Sequence, residues 1–333
     1  MAERLAVSVP VSTLWAGPDA PRDVDAPAVA NPPDVGAWTA AMDAGTRLGL
    51  HGRTLSQLLL GEPVEVMDER AGWAQVVAPW QPFSGDERGY PGWVPLAHLD
   101  EPAETSQHTA AVMRPVASLV VDGAATADVS WATVLPLLEQ DAELARVALP
   151  GGATGSLLRT DVAVREPGIP VEFQPQQMLA AARQFVGLPY LWGGTCGWGL
   201  DCSGLVHLGF RLQGVVVPRD ADDQQLAAAP VEIDAVEGGD LYFFGHSGAG
   251  IHHVGLVTGP NQMLHATEGA DRVEEAPLDA ERRETLRAAG RFPASRPRPS
   301  RPFRPAAAVS GPPPAGSSPP PGHGGPWPGS PPS

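Results

Sequence analysis

The chain has 333 residues, which is enough for two or three domains, and 43% of them are hydrophobic. Acidic residues outnumber basic ones by 38 to 22, giving a formal net charge of −16. This charge argues against a nucleic-acid partner, because phosphate binding needs clustered Lys and Arg, and it suits a partner that carries a free amine. The two cysteines, Cys196 and Cys202, are too few for a disulfide framework.

The N-terminal segment MAERLAVSVPVSTLW lacks the basic region followed by a continuous apolar region that marks a secretory signal. No stretch of the chain approaches the length of about 18 apolar residues that a membrane-spanning helix needs. The sequence therefore predicts a cytoplasmic protein with no membrane partner, or a secreted one if the start codon is misassigned.

The region before residue 170 contains a weak internal repeat of short alternating runs broken by Pro and Gly. The period-2 apolar positions predict strands in each copy. The copies read PVEVMDERAGWAQVVAP (63–79) with GYPGWVPLAHL (89–99), and TVLPLLEQDAELARVALP (133–150) with TGSLLRTDVAV (154–164).

Each copy resembles a bacterial SH3-like barrel, in which a strand pair is followed by Gly-Trp-Val or its equivalent and a short turn. We therefore expect two small all-β barrels, in domains 1–100 and 101–168. The first carries a long insertion, roughly 17–50, and the helical spacing of its residues 34–50 predicts helices there.

From residue 169 the pattern changes to helices followed by strands. Ala-rich spacing predicts a helix over 178–186 that Gly187 ends, and a second helix begins at residue 202 or 203 and runs to about 212. Strands are predicted at 240–245, 252–259, 262–267 and 272–278. Helices first and an antiparallel sheet afterwards indicate an α+β domain over 169–292.

The last segment, 293–333, is rich in Pro with Gly, Ser and Ala between. A segment of this composition cannot bury enough apolar surface to offset the entropy of ordering. We predict a disordered tail.

Cys202 in GLDCSGLVHLGF stands where the second helix starts, with Asp201 able to cap that helix. Unpaired backbone N–H groups and the helix dipole there favour a thiolate nucleophile, which needs a histidine base. Strand alternation predicts a contact between His253 and His265, so that one imidazole orients the other. From these residues alone, a buried structural cysteine and structural histidines stay open as alternatives.

The stretch PYLWGG, GLDCSGLVHLGF, VPRDADDQQ, GGDLYFFG, HHVGLVTG and QMLHAT resembles the NlpC/P60 family of papain-like cysteine peptidases over about 120 residues. The resemblance implies an α+β papain-like catalytic domain preceded by the two all-β SH3-like barrels. It also implies that Cys202 is the nucleophile, His253 the base and His265 the residue that orients the base. Tyr190 would lie beside this site, and an oxyanion would be stabilised near the Cys202 amide.

The family cuts bacterial cell-wall peptides, typically after γ-D-glutamate. Two features of this sequence indicate which of these peptides is the substrate. Asp220 stands where many secreted members have a neutral hydroxyl residue, and its carboxylate could hold a free N-terminal ammonium. The two-barrel front end resembles that of a subgroup that recycles murein peptides, in which the first barrel closes one end of the groove. By that resemblance Tyr90 helps to bind the substrate amine, although Tyr90 could equally belong to the barrel core.

Three further residues are expected to line the substrate pocket together with Tyr190. Ser203 could donate a hydrogen bond to the α-carboxylate of γ-D-Glu. Asp201 lies next to the nucleophile, and Trp192 either lines the pocket or packs under the cysteine helix. The Cys and His spacing calls for neither a metal nor a cofactor.

The sequence therefore predicts a monomeric cysteine endopeptidase that hydrolyses the γ-D-Glu to L-diamino acid bond of free murein tri- or tetrapeptides with an N-terminal L-Ala. The diamino acid would be L-Lys or meso-diaminopimelate. Three alternatives stay open: a secreted endopeptidase acting on intact peptidoglycan, a non-catalytic wall-peptide-binding protein, and another papain-like chemistry such as acyl transfer or hydrolysis of a different amide.

Overall fold

The structure is a computed structural model that describes residues 3–165, 173–246, 248 and 250–292, without the side chain of Ala125. The predicted tail at 293–333 and the predicted end of the second barrel lie outside these described residues. Among the described helices, none is long and apolar enough to cross a membrane.

The first sheet follows the period-2 pattern of apolar residues. Leu14, Leu58, Val76 and Val94 are fully buried and form its core. The strand order is β3-β2-β6-β5-β4-β1-β7. The strands are β1 (Glu3–Val7), β2 (Val11–Trp15), β3 (Thr54–Leu59), β4 (Pro63–Arg70), β5 (Trp73–Ala78), β6 (Tyr90–Pro95) and β7 (Leu99–Asp100).

The insertion between β2 and β3 is helical, as its spacing predicts. It forms α1 (Ala26–Val29), α2 (Val35–Ala41) and α3 (Ala44–Leu48). Asp34 caps α2 and Asp43 caps α3, each accepting a backbone N–H hydrogen bond of 2.8 Å. These caps satisfy backbone N–H groups where the short helices begin.

The second sheet repeats the first. Its strand order is β10-β9-β13-β12-β11-β8-β14, which is the order of the first sheet with seven added to each number. The weak repeat in the sequence is therefore a repeat of topology. The strands are β8 (Thr109–Val112), β9 (Val116–Val121), β10 (Ala125–Ser130), β11 (Val134–Gln140), β12 (Leu144–Ala148), β13 (Thr154–Leu158) and β14 (Val162–Arg165).

The C-terminal domain is α+β, with strand order β17-β22-β18-β19-β20-β21 in its larger sheet. The helices are α4 (Pro175–Arg183), α5 (Cys202–Leu212), α6 (Ala221–Ala227) and α7 (Ala280–Thr285). The strands are β15 (Thr195–Cys196), β16 (Gly199–Leu200), β17 (Ala229–Val231), β18 (Leu241–Gly245), β19 (Ile251–Gly259), β20 (Gln262–Thr267), β21 (Arg272–Pro277) and β22 (Leu286–Arg291). This architecture agrees with the predicted fold class.

Helix α5 is the central element of this domain. All of its residues are buried, and it packs against β19 and α4. Gly204 makes the close packing possible, because an added Cβ would lie 2.1 Å from the carbonyl oxygen of Gly194. The first turn of α5 is thereby held tightly against the chain that precedes it.

The edge strand β3 joins the first barrel to the catalytic domain. The backbone N–H of Gln57 donates to Thr195 Oγ1 at 2.9 Å, and the Gln57 side-chain oxygen accepts from the Thr195 N–H at 3.0 Å. Thr54 Oγ1 donates to the Trp192 carbonyl at 2.9 Å. Thr195 and Trp192 lie just before the cysteine helix, so the barrel contacts the segment that leads to the site.

Candidate active site

Cys202 is the first residue of α5 and is only 8% exposed. Asp201 caps the helix by accepting the Gly204 N–H at 2.7 Å. Burial, reinforced by the Asp201 charge, raises the pKa of the Cys202 thiol to about 12, although backbone hydrogen bonds from Val254 and Ser203 oppose the rise. The effect of burial on the thiol pKa is therefore opposite in direction to the thiolate-favouring effect predicted for the helix start.

His253 on β19 and His265 on β20 form the cross-strand contact that alternation predicts. Nε2 of His253 lies 2.8 Å from Nδ1 of His265. Burial lowers the pKa of His253 well below its usual value and that of His265 to about 3. Both imidazoles are therefore neutral at neutral pH, and one ring donates the shared hydrogen to the other.

Glu274 on β21 completes this row of groups, with its Oε1 3.7 Å from His265 Nε2. A carboxylate only accepts, so it favours the tautomer in which His265 Nε2 carries the hydrogen and Nδ1 accepts from His253. Nδ1 of His253 is then the basic nitrogen. The Cys202 thiol lies within reach of the N–H of Val254, the residue that follows His253. Reasoning from the sequence missed Glu274, although it is the cross-strand neighbour of His265 in the sheet register.

A buried arginine organises the residues around the cysteine. The Arg219 guanidinium, 1% exposed, donates to both Asp201 carboxylate oxygens at 2.6 and 3.1 Å. It also donates to Ser203 Oγ at 2.9 Å and, through Nε, to Ser56 Oγ of β3 at 2.8 Å. Sequence reasoning assigned Arg219 no role, although the Pro-Arg-x-Ala motif contains it.

Asp220 and Tyr90 meet although they lie on different domains. The Tyr90 hydroxyl donates to Asp220 Oδ2 at 2.8 Å, while its ring packs on Phe83 with centroids 4.8 Å apart. Tyr90 is therefore both part of the barrel core and a partner of the carboxylate. Burial raises the pKa of Asp220 to about 6, against the opposing effects of Arg219 and the Tyr90 hydrogen bond.

Trp192 and Tyr190 form another side of the site. Trp192 is partly buried and stacks on His51 from the insertion, with ring centroids 3.7 Å apart. Tyr190 is buried, and its N–H donates to the Asp271 carbonyl at 3.2 Å. The insertion, the segment before α5 and the turn after β20 thus converge on one face.

The structure brings the candidate residues into one region. One group contains the cysteine and the histidine pair, and a second contains the arginine, its partners and the neighbouring carboxylate. Tyr190 and Trp192 lie in the segment that precedes α5. The candidate residues of this region are Cys202, His253, His265, Asp220, Ser203, Tyr90, Trp192, Tyr190 and Asp201. Among the described residues, no group of three or more His, Cys, Asp or Glu side chains is arranged to hold a metal ion.

Comparison with known proteins identifies the family of this chain. Residues 187–286 match the NlpC/P60 family, and residues 50–99 match the bacterial dipeptidyl-peptidase Sh3 domain. A γ-D-glutamyl-L-lysine dipeptidyl-peptidase from Bacillus cereus is 35% identical over 286 residues, which are 82% of this chain and 86% of the relative. The protein of the same name from Bacillus subtilis is 36% identical over 79% of this chain and 90% of the relative.

The crystal structure of an NlpC/P60 family protein from Bacillus cereus has the same fold over most of the chain. It superposes with a TM-score of 0.83 at 31% identity, covering 87% of this chain and 99% of that one. The predicted α+β papain-like domain behind SH3-like domains is thereby confirmed. The chain belongs to the NlpC/P60 family and is a cysteine peptidase.

Proposed function

We propose that this peptidase hydrolyses the bond between γ-D-glutamate and the following L-diamino acid in free murein peptides that begin with L-Ala. The names of its two long relatives support the bond, since both are called γ-D-glutamyl-L-lysine dipeptidyl-peptidases. L-Lys and meso-diaminopimelate are both candidates for the diamino acid. The free amine is the part of the proposal that this chain's own residues support.

The single observation that carries the proposal is the hydrogen-bonded pair of Asp220, which is partly buried, and Tyr90, which is buried. Among the described residues no cation forms an ion pair with the Asp220 carboxylate, because the guanidinium of Arg219 bonds to Asp201. An N-terminal ammonium is a cation of suitable size for that place. An acylated or glycan-linked N-terminus would cover the Asp220 charge without pairing it, which is costly.

The proposed reaction begins with neutral groups. Cys202 Sγ attacks the γ-carbonyl carbon of D-Glu while its proton passes to Nδ1 of His253, and His265 accepts a hydrogen bond from the imidazolium that forms. The helix start at Cys202 supplies backbone N–H groups for the oxyanion. His253 then protonates the leaving α-amine, and water attacks the thioester to release the acid and restore the thiol.

The remaining site residues bind and position the substrate in this proposal. The Ser203 hydroxyl, with the positive charge of Arg219 beside it, faces the α-carboxylate of γ-D-Glu. Asp201 holds the helix start and the arginine at the same time. Tyr190 and Trp192 form the wall against which the peptide lies.

The domain boundaries predicted above, 1–100, 101–168 and 169–292, are part of the same proposal, in which the first barrel closes the amine end of the groove. A substrate released from the wall and taken up by the cell fits a cytoplasmic monomer. The barrels then shape the substrate site, and wall anchoring is not their role.

The test compares two peptides with purified full-length protein: L-Ala-γ-D-Glu-L-Lys and its N-acetylated form, with release of L-Lys followed by chromatography. We expect cleavage of the free peptide with kcat/KM at least about tenfold higher, since losing a hydrogen bond to a partly buried charge costs about 1.5 kcal/mol or more. Cys202→Ser should abolish cleavage. Asp220→Asn should make the kcat/KM values for the two peptides nearly equal.

Asp222→Asn is the matched control, because it removes an exposed carboxylate two residues away and should preserve the preference. Equal cleavage of both peptides by the unmodified protein would instead favour a hydrolase of intact peptidoglycan. No cleavage of either would leave a wall-peptide-binding protein or another papain-like chemistry.

A further inference from the structure

A pocket between α3 and the turn after β20 is separate from the amine-binding pair, since neither Asp220 nor Tyr90 lines it. Ala44 and Leu48 of α3 form its apolar side together with Tyr190. The Tyr190 backbone pairs with Leu200, two residues before Cys202. Tyr190 therefore borders both the pocket and the segment that leads to the nucleophile.

The rim of the pocket is charged. His51 pairs with Glu268, and Arg47 pairs with Asp271, so that the insertion is linked to the turn after β20. The Glu268 side chain is 39% exposed, which leaves its carboxylate free to accept a further hydrogen bond. An apolar side with a carboxylate at the rim is complementary to an alkyl chain that ends in an ammonium group.

We propose that this pocket receives the side chain of the diamino acid, with Glu268 binding the terminal ammonium and Leu48 packing against the methylene groups. The inference rests on the proposed function. Within the proposed substrate, the diamino acid alone carries a side-chain ammonium, and its α-nitrogen belongs to the cleaved bond. The amine of L-Ala is assigned to Asp220, so it does not compete for this pocket.

In meso-diaminopimelate the distal carbon carries a carboxylate beside the ammonium. Lysine and diaminopimelate therefore share the side-chain ammonium, and Glu268 makes the contact that both have in common.

The competing explanation is that the ion pairs only hold α3 against the catalytic domain. His51→Gln separates the two explanations, because it breaks the pair but leaves the Glu268 carboxylate in place. A purely structural role would make His51→Gln and Glu268→Gln equivalent. If Glu268 binds the ammonium, only Glu268→Gln, which removes the carboxylate, should weaken recognition of the ammonium.

The experiment measures kcat/KM for L-Ala-γ-D-Glu-L-Lys and for the same peptide with L-norleucine, which keeps the alkyl chain and lacks the ammonium. We expect the unmodified protein to have a kcat/KM about tenfold higher for the lysine peptide. This ratio is what one charge-assisted hydrogen bond to a half-exposed carboxylate contributes. Glu268→Gln should reduce this ratio to about one, while His51→Gln should keep it.

Glu275→Gln is the control for charge, since Glu275 pairs with Arg183 at 2.8 Å and does not line the pocket. It should keep the tenfold ratio. The proposal is overturned if Glu268→Gln retains the ratio, or if His51→Gln lowers it equally. Cleavage of neither peptide by the unmodified protein would instead overturn the proposed function, and this inference with it.

Discussion

The pH dependence of cleavage gives a direct test of the amine site. Burial raises the pKa of Asp220 to about 6, so the free enzyme carries the carboxylate charge only above that pH. The substrate α-amine has a pKa of about 8 and is an ammonium only below that value. The kcat/KM for the free peptide should therefore form a bell with limbs near pH 6 and pH 8.

The size of the acid limb follows from the same value. With a pKa of about 6, about one tenth of Asp220 is ionised at pH 5 and about nine tenths at pH 7, so kcat/KM should fall nearly tenfold between these points. The two groups that exchange the proton have pKa values displaced from this window. Burial lowers the pKa of His253 well below its usual value, and it raises the pKa of the Cys202 thiol to about 12.

The assay is initial-rate release of L-Lys from pH 4.5 to 9 at constant ionic strength, with Asp220→Asn and the N-acetylated peptide as the two comparisons. Asp220→Asn should lose the acid limb near pH 6. The acetylated peptide should lose the basic limb, and its kcat/KM should rise below about pH 6, because protonation of Asp220 removes the unpaired charge. If Asp220→Asn kept an acid limb of the same midpoint and size, another group would titrate there and the assignment of Asp220 would be refuted.

Three further predictions concern the buried groups around the site. Glu62→Gln should lower the free energy of unfolding by about 3 kcal/mol in denaturant titrations, because Glu62 forms a buried ion pair with Arg211 of α5; a loss below about 1 kcal/mol would contradict this. Ser56→Ala should lower kcat about tenfold and change KM much less, because it removes the hydrogen-bond partner of the Arg219 Nε group. A kcat equal to that of the unmodified protein would show that the barrel does not position the arginine. Glu274→Gln should reduce kcat by about three- to tenfold without changing KM, as expected for a partly exposed group that acts through the histidine pair; an altered KM alone would instead place it in substrate binding.

Local patterns in the sequence predicted most of the catalytic domain's elements. Asp201 is a good helix cap, and helix α5 begins at the residue after it. Strand β22 was not predicted, because its sequence LRAAGR holds no β-branched or aromatic residue. It exists because it pairs on one side with β17 and on the other with β18, so tertiary pairing overrides its weak propensity.

The site was predictable where its geometry is local. The His253–His265 contact follows from strand alternation across one hairpin. The contacts of Arg219 do not follow from local patterns, because Ser56, the hydrogen-bond partner of its Nε group, lies 163 positions away on another domain. That contact depends on how the first barrel docks, which single-sequence patterns do not specify. The effect of burial on the thiol pKa was likewise not predictable from local patterns, because it depends on how the whole domain packs around Cys202.

The first barrel contributes to both halves of the proposed site. Tyr90 donates to the Asp220 carboxylate, and Ser56 accepts from the arginine that holds the helix start. In the proposed function, opening the groove to admit a glycan-linked peptide would increase the exposure of Asp220 and disturb Arg219 at once. Substrate choice and reactivity should therefore change together in variants of the β3 edge, whereas an independent wall anchor would allow them to change separately.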